Sequence, residues 1–309
     1  MKKIIIFPFA YIKDNNSGVN IKSEKALETY LKNLCVSAIS ARVHNSSDID
    51  VAVVSNFDIP SKYRKILETF KILFYFEKFD TFVFPKNYLW NLAFYKLDIM
   101  YKFSHNYDYD YFIYLDIDVF VQDSLDNIFE EAKTNILLYD INHGLQVEDY
   151  RILIDECERY FKEKRMITHY GGEFFASSKE KASIFSEKCL EVFNEMILKN
   201  IQTTKGDEFI ISIAADSLKK IIKNSGAYVY RYWTGNFRLV STNYANNHVS
   251  ILHCPAEKED GFLKLFKIYS KNKMITNKKA FRYLHITHKN FKNCIVSIFK
   301  KFNSKNTLN

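Results

Sequence analysis

The first half of the chain alternates short, nearly continuous apolar runs with longer stretches in which apolar residues recur every three or four positions. The short runs predict strands that are buried on both faces, and the longer stretches predict amphipathic helices. The predicted strands cover residues 4–10, 50–55, 71–76 and 110–116, and the predicted helices cover residues 23–40, 60–70 and 87–101. This alternation predicts an α/β fold with a mostly parallel central sheet flanked by helices.

The second half follows the same alternation less regularly. Residues 168–177 are aromatic and contain two glycines, which fits either a strand or a loop. One helix is predicted after Ser177, another near Asp207, and late strands at residues 228–232 and 249–253. Because no linker rich in proline, glycine or serine separates these elements, we predict a single α/β domain over residues 1–260.

Charge is distributed unevenly along the chain. The 309 residues have a net charge of +8, yet residues 261–309 contain 12 Lys or Arg and no acidic residue. Residues 1–260 therefore carry 32 basic and 36 acidic residues and are mildly acidic. Nucleic-acid-binding domains present basic surfaces, so the acidic composition of residues 1–260 predicts no nucleic-acid partner. We predict that residues 261–309 form a separate basic helical tail.

The basic tail has apolar residues at helical spacing among its lysines, most clearly from Phe291 to Phe302. A basic amphipathic helix suits an anionic membrane surface, with its apolar side chains entering the interface. The tail therefore predicts a peripheral position on the inner face of the cytoplasmic membrane. The alternative is a C-terminal helix that packs on the domain and leaves its lysines in water.

The cysteines and the N-terminus predict a cytoplasmic protein. The five cysteines are odd in number and include no C-x-x-C pair, which argues against a disulfide framework or a zinc site. The apolar N-terminus lacks a small-residue cleavage site of the kind that ends a signal peptide. No apolar run approaches the ~20 residues that a membrane-spanning helix needs.

Two carboxylates, Asp116 and Asp118, appear abruptly at the end of a predicted buried strand. Buried charges need a cation, a partner or water, and ligand sites in open α/β sheets lie at the carboxyl ends of strands. Carboxylate oxygens suit Mg²⁺ or Mn²⁺, which often share their coordination with substrate phosphates. We therefore predict metal-assisted handling of a phosphorylated substrate. In the alternative, Asp118 caps a turn and Asp116 is solvated.

With this D-x-D motif, most of residues 1–260 resembles the GT-A glycosyltransferases, which use nucleotide sugars. The resemblance rests on four blocks in order: residues 4–10, residues 90–100, residues 115–122, and residues 170–175 followed by Gly206-Asp207-Glu208. The order is similar to that of the retaining galactosyl- and N-acetylgalactosaminyltransferases of the blood-group type. It also looks like bacterial transferases that build lipooligosaccharide or capsule. The resemblance implies a nucleotide-sugar donor, such as a UDP-sugar, and a saccharide or glycolipid acceptor.

The resemblance also implies roles for individual residues. Asp116 and Asp118 would hold Mn²⁺ or Mg²⁺ on the diphosphate, and His253, after a late strand, would be a further metal ligand. The implied donor-binding residues are Phe7, Ala10, Tyr11, Lys96, Asp116, Gly171, Gly172 and Lys258. Ordinary alternatives remain open: a solvated lysine at position 96, a tight turn at the glycine pair, and a core histidine at position 253.

Asp207 and Glu208 are the candidate catalytic residues, and they stand where a helix is predicted to begin. A carboxylate beside the sugar can deprotonate an acceptor hydroxyl, act as a nucleophile or stabilise oxocarbenium-like charge. In the resembled enzymes the second acid is the candidate nucleophile, which implies that role for Glu208. The alternative is that both acids simply stabilise the positive end of the helix dipole.

Two other functions compete with the transferase. Haloacid-dehalogenase-type phosphatases also use a hydrophobic strand that ends in D-x-D-x-V, which fits Asp116 to Val119, but that motif usually opens their chain. The third hypothesis is a non-catalytic protein that binds a membrane surface or a polyanion, with structural carboxylates. It predicts that function survives loss of Asp116 and Asp118 but not loss of the tail.

Overall fold

The computed structural model describes residues 1–12, 25–84, 88, 90–141, 147–232, 248–286 and 295. Within these ranges the strands are β1 (Lys3–Phe9), β2 (Ile49–Ser55), β3 (Leu73–Phe76), β4 (Tyr111–Leu115), β5 (Val119–Val121), β6 (Ile136–Asp140), β7 (Tyr170–Ser178), β8 (Ile222–Asn224), β9 (Val229–Arg231) and β10 (Ile251–His253). The helices are α1 (Ala26–His44), α2 (Ser61–Thr69), α3 (Tyr95–Asn106), α4 (Asp126–Ala132), α5 (Val147–Phe161), α6 (Lys179–Leu198), α7 (Asp207–Ser217), α8 (Gly261–Tyr269) and α9 (Asn277–Tyr283).

A seven-stranded sheet forms the centre of the fold, in the order β3-β2-β1-β4-β7-β6-β8. Its neighbouring strands are parallel except at β7, which runs antiparallel to both β4 and β6. The α/β class and the mostly parallel sheet predicted from the sequence are therefore confirmed.

Helices cover both faces of this sheet, and β1 shows why its sequence is apolar at nearly every position. Ile5 and Phe7 lie in one buried cluster with residues of α1, while Ile4 and Ile6 lie in a second cluster with residues of α3 and α6. All four side chains are completely buried. A strand with water on one face would instead have alternated apolar and polar residues.

A smaller sheet of three short strands has the order β5-β10-β9, and its strand β5 begins directly after the D-x-D motif. Its register places His253 opposite Val119 on one side and opposite Arg231 on the other. Since Val119 follows Asp118, this sheet brings an acidic, an imidazole and a guanidinium side chain to one place.

The element bounds differ from the sequence prediction in several places. The elements β5, α4, β6, α5 and β8 were not predicted. The helix predicted over residues 87–101 is shifted: a 3-10 turn at Asn91–Phe94 leads into α3, which ends at Asn106. The shift begins at Trp90, whose left-handed backbone (φ 62°, ψ 24°) cannot continue a right-handed helix.

The described part of the C-terminal segment packs on the domain. Phe262, Leu265 and Tyr269 of α8 are buried, and the Tyr269 ring meets Phe70 edge to face. The domain boundary after residue 260 therefore stays a prediction, and residues 287–294 and 296–309 lie outside the described residues. In the part of the chain that is described, none of the helices combines the length and apolarity that crossing a membrane requires.

Candidate active site

The two carboxylates of the D-x-D motif meet an imidazole where three strands begin or end. Asp116 follows β4, Asp118 precedes β5, and His253 is the last residue of β10. One ligand atom from each of the three side chains lies within 4.8 Å of the others. Sequence reasoning named these three residues as metal ligands, and the fold brings them together.

Asp118 is nearly fully buried and is surrounded by positive groups. Its Oδ2 atom lies 2.8 Å from Lys258 Nζ and 3.2 Å from His253 Nε2. Burial alone would raise the pKa of this carboxyl group, but Lys258 and His253 outweigh it and hold the pKa well below the usual range. Asp118 is therefore a carboxylate at any physiological pH.

This group of three side chains fits a divalent cation. Asp118 Oδ2 is completely buried and forms ion pairs with Lys258 and His253, so an anionic oxygen lies next to the other two side chains of the group. Two carboxylates and one imidazole form a donor set that Mn²⁺ and Mg²⁺ accept, with room for further ligands.

Glu173, in the middle of β7, orients His253 from behind. The Nδ1 atom of His253 lies 3.1 Å from Glu173 Oε1, which leaves Nε2 to face Asp118. A carboxylate behind a ligating histidine is a common way to set the ring orientation and tautomer. Burial would lower the pKa of His253, but Asp118 and Glu173 outweigh it and raise the pKa to about 9.

Arg231, the last residue of β9, joins this group to the first turn of α7. Its Nε donates to Glu173 Oε1 at 2.7 Å, and its Nη2 donates to Glu173 Oε2 at 2.5 Å and to Glu208 Oε1 at 2.9 Å. His169 Nε2 lies 3.1 Å from the other oxygen of Glu208. Burial would raise the pKa of Glu208, but Arg231 and His169 lower it to about 2.

Lys96, on α3, lies between the motif and Asp207. Its Nζ is 2.9 Å from Asp116 Oδ1 and 3.2 Å from Asp207 Oδ2, and it also donates to the Gly172 carbonyl. One lysine thus serves two carboxylates, and the shorter contact is to Asp116. Burial raises the pKa of Asp207 to about 6 despite Lys96, and the nearby Asp116 and Glu208 add to the rise.

These groups surround a cleft of about 450 Å³. Of the residues singled out from the sequence, Ala10, Lys96, Asp116, Asp118, Gly172, Asp207, Glu208, His253 and Lys258 line it. Other lining residues are Pro8, Phe9, Tyr30, Trp90, Leu92, Ala93, Tyr95, Ile117, Thr204, Lys205, Arg231 and Pro255. The site therefore extends from the end of β1 to the start of α7.

Three of the predicted donor-binding residues do not line the cleft. Phe7 is completely buried in the core beside α1. Tyr11 exchanges two hydrogen bonds with Asn56, and its ring lies against Phe57. Position 171 requires glycine for a structural reason, because a Cβ there would come within 1.9 Å of Glu173 Oε2.

Glu173 and Arg231 were given no role from the sequence. Each is a charged residue inside a short aromatic or β-branched run, and such a charge needs a partner when the strand is buried. That signal resembles the one that identified Asp116, but it does not say which partner each charge finds. The pairing depends on β7 and β9 both coming close to His253, and those strands belong to different sheets.

No protein-family model matches this chain, and no curated protein sequence matches it. Among solved structures, the apo form of mouse xyloside xylosyltransferase 1 matches with a TM-score of 0.53 and 11% sequence identity. The match covers 83% of this chain and 98% of that one. At this identity the likeness concerns the fold, and it confirms the GT-A architecture predicted from the sequence.

Proposed function

We propose that this protein is a metal-dependent glycosyltransferase. It would move a sugar from a UDP-sugar to a saccharide or lipid-linked acceptor during synthesis of bacterial surface polysaccharide or lipooligosaccharide. The observation that supports this most directly is the group of Asp116, Asp118 and His253, which meet where β4 and β10 end and β5 begins. The group opens into a cleft that is also lined by Lys96 and Lys258.

The charges suit a nucleotide diphosphate. Asp116, Asp118 and His253 would hold Mn²⁺ or Mg²⁺, which offsets negative charge on the leaving diphosphate. Lys258 contacts Asp118 and Lys96 contacts Asp116, so both ammonium groups would also face the phosphates. The end of β1, at Ala10, would take the nucleoside side of the donor.

The two acids of α7 would act differently because their surroundings differ. Glu208 is kept anionic by Arg231 and His169, and an anion there would stabilise positive charge that develops on the sugar ring. Asp207 has a pKa of about 6, which allows it to gain and lose a proton near neutral pH. It would therefore be the group that accepts the acceptor's hydroxyl proton.

The competing functions are not favoured. In haloacid-dehalogenase-type phosphatases the D-x-D motif usually lies on the first strand of the fold. Here it follows β4, which comes after three other strands and three helices in the chain. A non-catalytic role for the acids does not account for a cleft in which they converge with Lys96 and Lys258.

Replacing Asp118 with asparagine is expected to abolish metal-dependent nucleotide binding. With Mn²⁺ and UDP at about 100 times the dissociation constant, ligand binding should stabilise the native protein by about 2.7 kcal/mol. Thermal-shift measurements with UDP, with and without Mn²⁺, test this directly. Asp123→Asn, at an exposed acid a few residues further along, is the matched control and should respond as the unmodified protein does. No Mn²⁺-dependent stabilisation of the unmodified protein by UDP or other nucleoside diphosphates would overturn the proposal.

We also propose that residues 287–309 bring the enzyme to an anionic membrane, since Phe262, Leu265 and Tyr269 of α8 are already buried against the domain. The full chain should float with liposomes that contain phosphatidylglycerol, and a variant ending at Ile286 should not. Salt should weaken the association because the attraction is electrostatic. Equal flotation of the two proteins would refute membrane attachment through this segment.

A further inference from the structure

Trp90 stands out at the rim of the cleft because its backbone is in the left-handed region, with φ 62° and ψ 24°. This conformation is unfavourable for a bulky residue, and strain of this kind persists only where surrounding contacts enforce it. Such strain concentrates at ligand sites. The indole is only partly buried and lines the cleft, so it is available to a bound molecule.

The loop before α7 enforces the position of the indole. Trp90 Nε1 donates to the Thr204 carbonyl at 3.1 Å. Beneath the side chain lies Gly206 (φ +63°), where an added Cβ would come within 3.0 Å of Trp90 Cβ. Both the absence of a side chain at Gly206 and its own positive φ are therefore needed for this packing.

The loop is itself held rigidly from inside the protein. The carboxylate of Glu156, which is buried, accepts hydrogen bonds from the backbone and hydroxyl of Thr204 and from the hydroxyl of Thr203. The Tyr88 hydroxyl bonds to both Ile201 O and Thr203 N. The indole is therefore presented by a preorganised rim, which lowers the entropy lost when a ligand binds.

The order of contacts places Trp90 on the sugar side of the cleft. Lys96 joins Asp116 of the metal group to Asp207, Asp207 follows Gly206 in the chain, and Gly206 packs on Trp90. The nucleoside end, at Ala10, is reached from the metal group by a different element, β1. A flat aromatic surface beside the two acids is suited to the C–H face of a pyranose ring.

On the basis of the proposed function, we propose that Trp90 is the stacking platform for the acceptor sugar, a pyranoside whose apolar face lies on the indole. The hydroxyl edge of that sugar then faces Asp207 and Glu208, beside which transfer takes place. The aromatic surface contributes to the affinity for the acceptor and does not contribute to the affinity for the nucleotide.

The test uses Trp90 as its own reporter. The chain has two tryptophans, so Trp233→Phe leaves Trp90 as the sole source of tryptophan fluorescence. This protein, loaded with UDP and Mn²⁺, is titrated with methyl α- and β-pyranosides of glucose, galactose and N-acetylgalactosamine and with lactose. A saturable change in emission with at least one sugar is expected. The absence of a response to every sugar, while UDP still binds, overturns the inference.

Two substitutions separate stacking from folding. By saturation-transfer NMR on the full chain, Trp90→Ala should weaken binding of the responding sugar about tenfold, whereas Trp90→Phe should keep it within about threefold. Both variants should bind UDP with Mn²⁺ as the unmodified protein does, which also shows that they are folded. If Trp90→Ala loses UDP affinity to the same extent, Trp90 belongs to the nucleotide site and the inference fails. If the unmodified protein binds no UDP, the proposed function fails instead, and the inference fails with it.

Discussion

Replacing Arg231 with glutamine is expected to lower the free energy of unfolding by about 3–5 kcal/mol. Arg231 is the shared cation of Glu173, which is completely buried, and of Glu208, which is mostly buried. Removing one member of a buried ion pair leaves a charge without compensation, and that penalty is much larger than the net gain from forming the pair. Here two carboxylates would lose the guanidinium at once, and each would keep only an imidazole contact, Glu173 with His253 and Glu208 with His169.

Chemical denaturation of the metal-free protein at pH 7 measures this loss. Arg64→Gln is the matched control, because Arg64 pairs with Glu68 at 3.0 Å on the surface of α2, with about half of each side chain exposed. Exposed pairs of this kind contribute about 1 kcal/mol or less. A loss for Arg231→Gln no greater than that of the control would show that the two carboxylates do not depend on the guanidinium.

A double-mutant cycle shows which carboxylate depends most on Arg231. Glu173→Gln and Arg231→Gln together should destabilise the protein by less than the sum of the single changes, with a coupling of about 1–3 kcal/mol. The bidentate contact with Glu173 should give a stronger coupling than the single contact with Glu208. Equal coupling would indicate that Arg231 divides its charge evenly between strand and helix.

Sequence reasoning succeeded where a whole element carries one signal. The run around β1 is apolar at nearly every position because helices cover both faces of the sheet. Each residue of the run therefore indicates that the strand is buried. Asp116 and Asp118 were recognisable for the converse reason, since charge at the end of such a run must meet a cation or a ligand. These two signals are local. The first led to the correct fold class, and the second led to the two carboxylates around which the candidate site is built.

The remaining features depend on contacts that are distant in the chain. The strands β5 and β8 have three residues each, too few for a period to appear. Trp90 looked like an ordinary helix residue, because its left-handed backbone accompanies packing against Gly206, which is far away in the chain. The apolar stripe of α8 fits a membrane surface as well as it fits a neighbouring helix, and packing against α1 and α2 decides between them only in the folded chain.

The two acids at the start of α7 are expected to change the stability of the protein with pH in opposite directions. Glu208 has a pKa of about 2 in the folded protein against 4.5 ordinarily, so the stability it contributes is complete above pH 4.5 and is lost as pH falls towards 2. Asp207 has a pKa of about 6 against 3.8, so the folded state favours its protonated form. Its contribution is complete below pH 3.8 and is lost as pH rises through 6. Each effect is on the order of 3 kcal/mol, and that of Glu208 is an upper value because a fifth of its side chain is exposed.

Denaturation curves recorded between pH 2.5 and 7.5 on metal-free protein distinguish the two acids by substitution. Glu208→Gln should flatten the loss of stability below pH 4.5, and Asp207→Asn should remove a loss between pH 4 and 6. Other carboxylates also titrate in this range, so the informative quantity is the difference in slope from the unmodified protein, with Arg64→Gln again as the control. If the slopes change in the same direction in both variants, the protein shifts the pKa values of the two acids in the same direction, which would contradict the prediction. Opposite slopes would instead mean that the fold shifts the pKa values of two adjacent carboxylates in opposite directions, as separate roles for a charge stabiliser and a proton acceptor require.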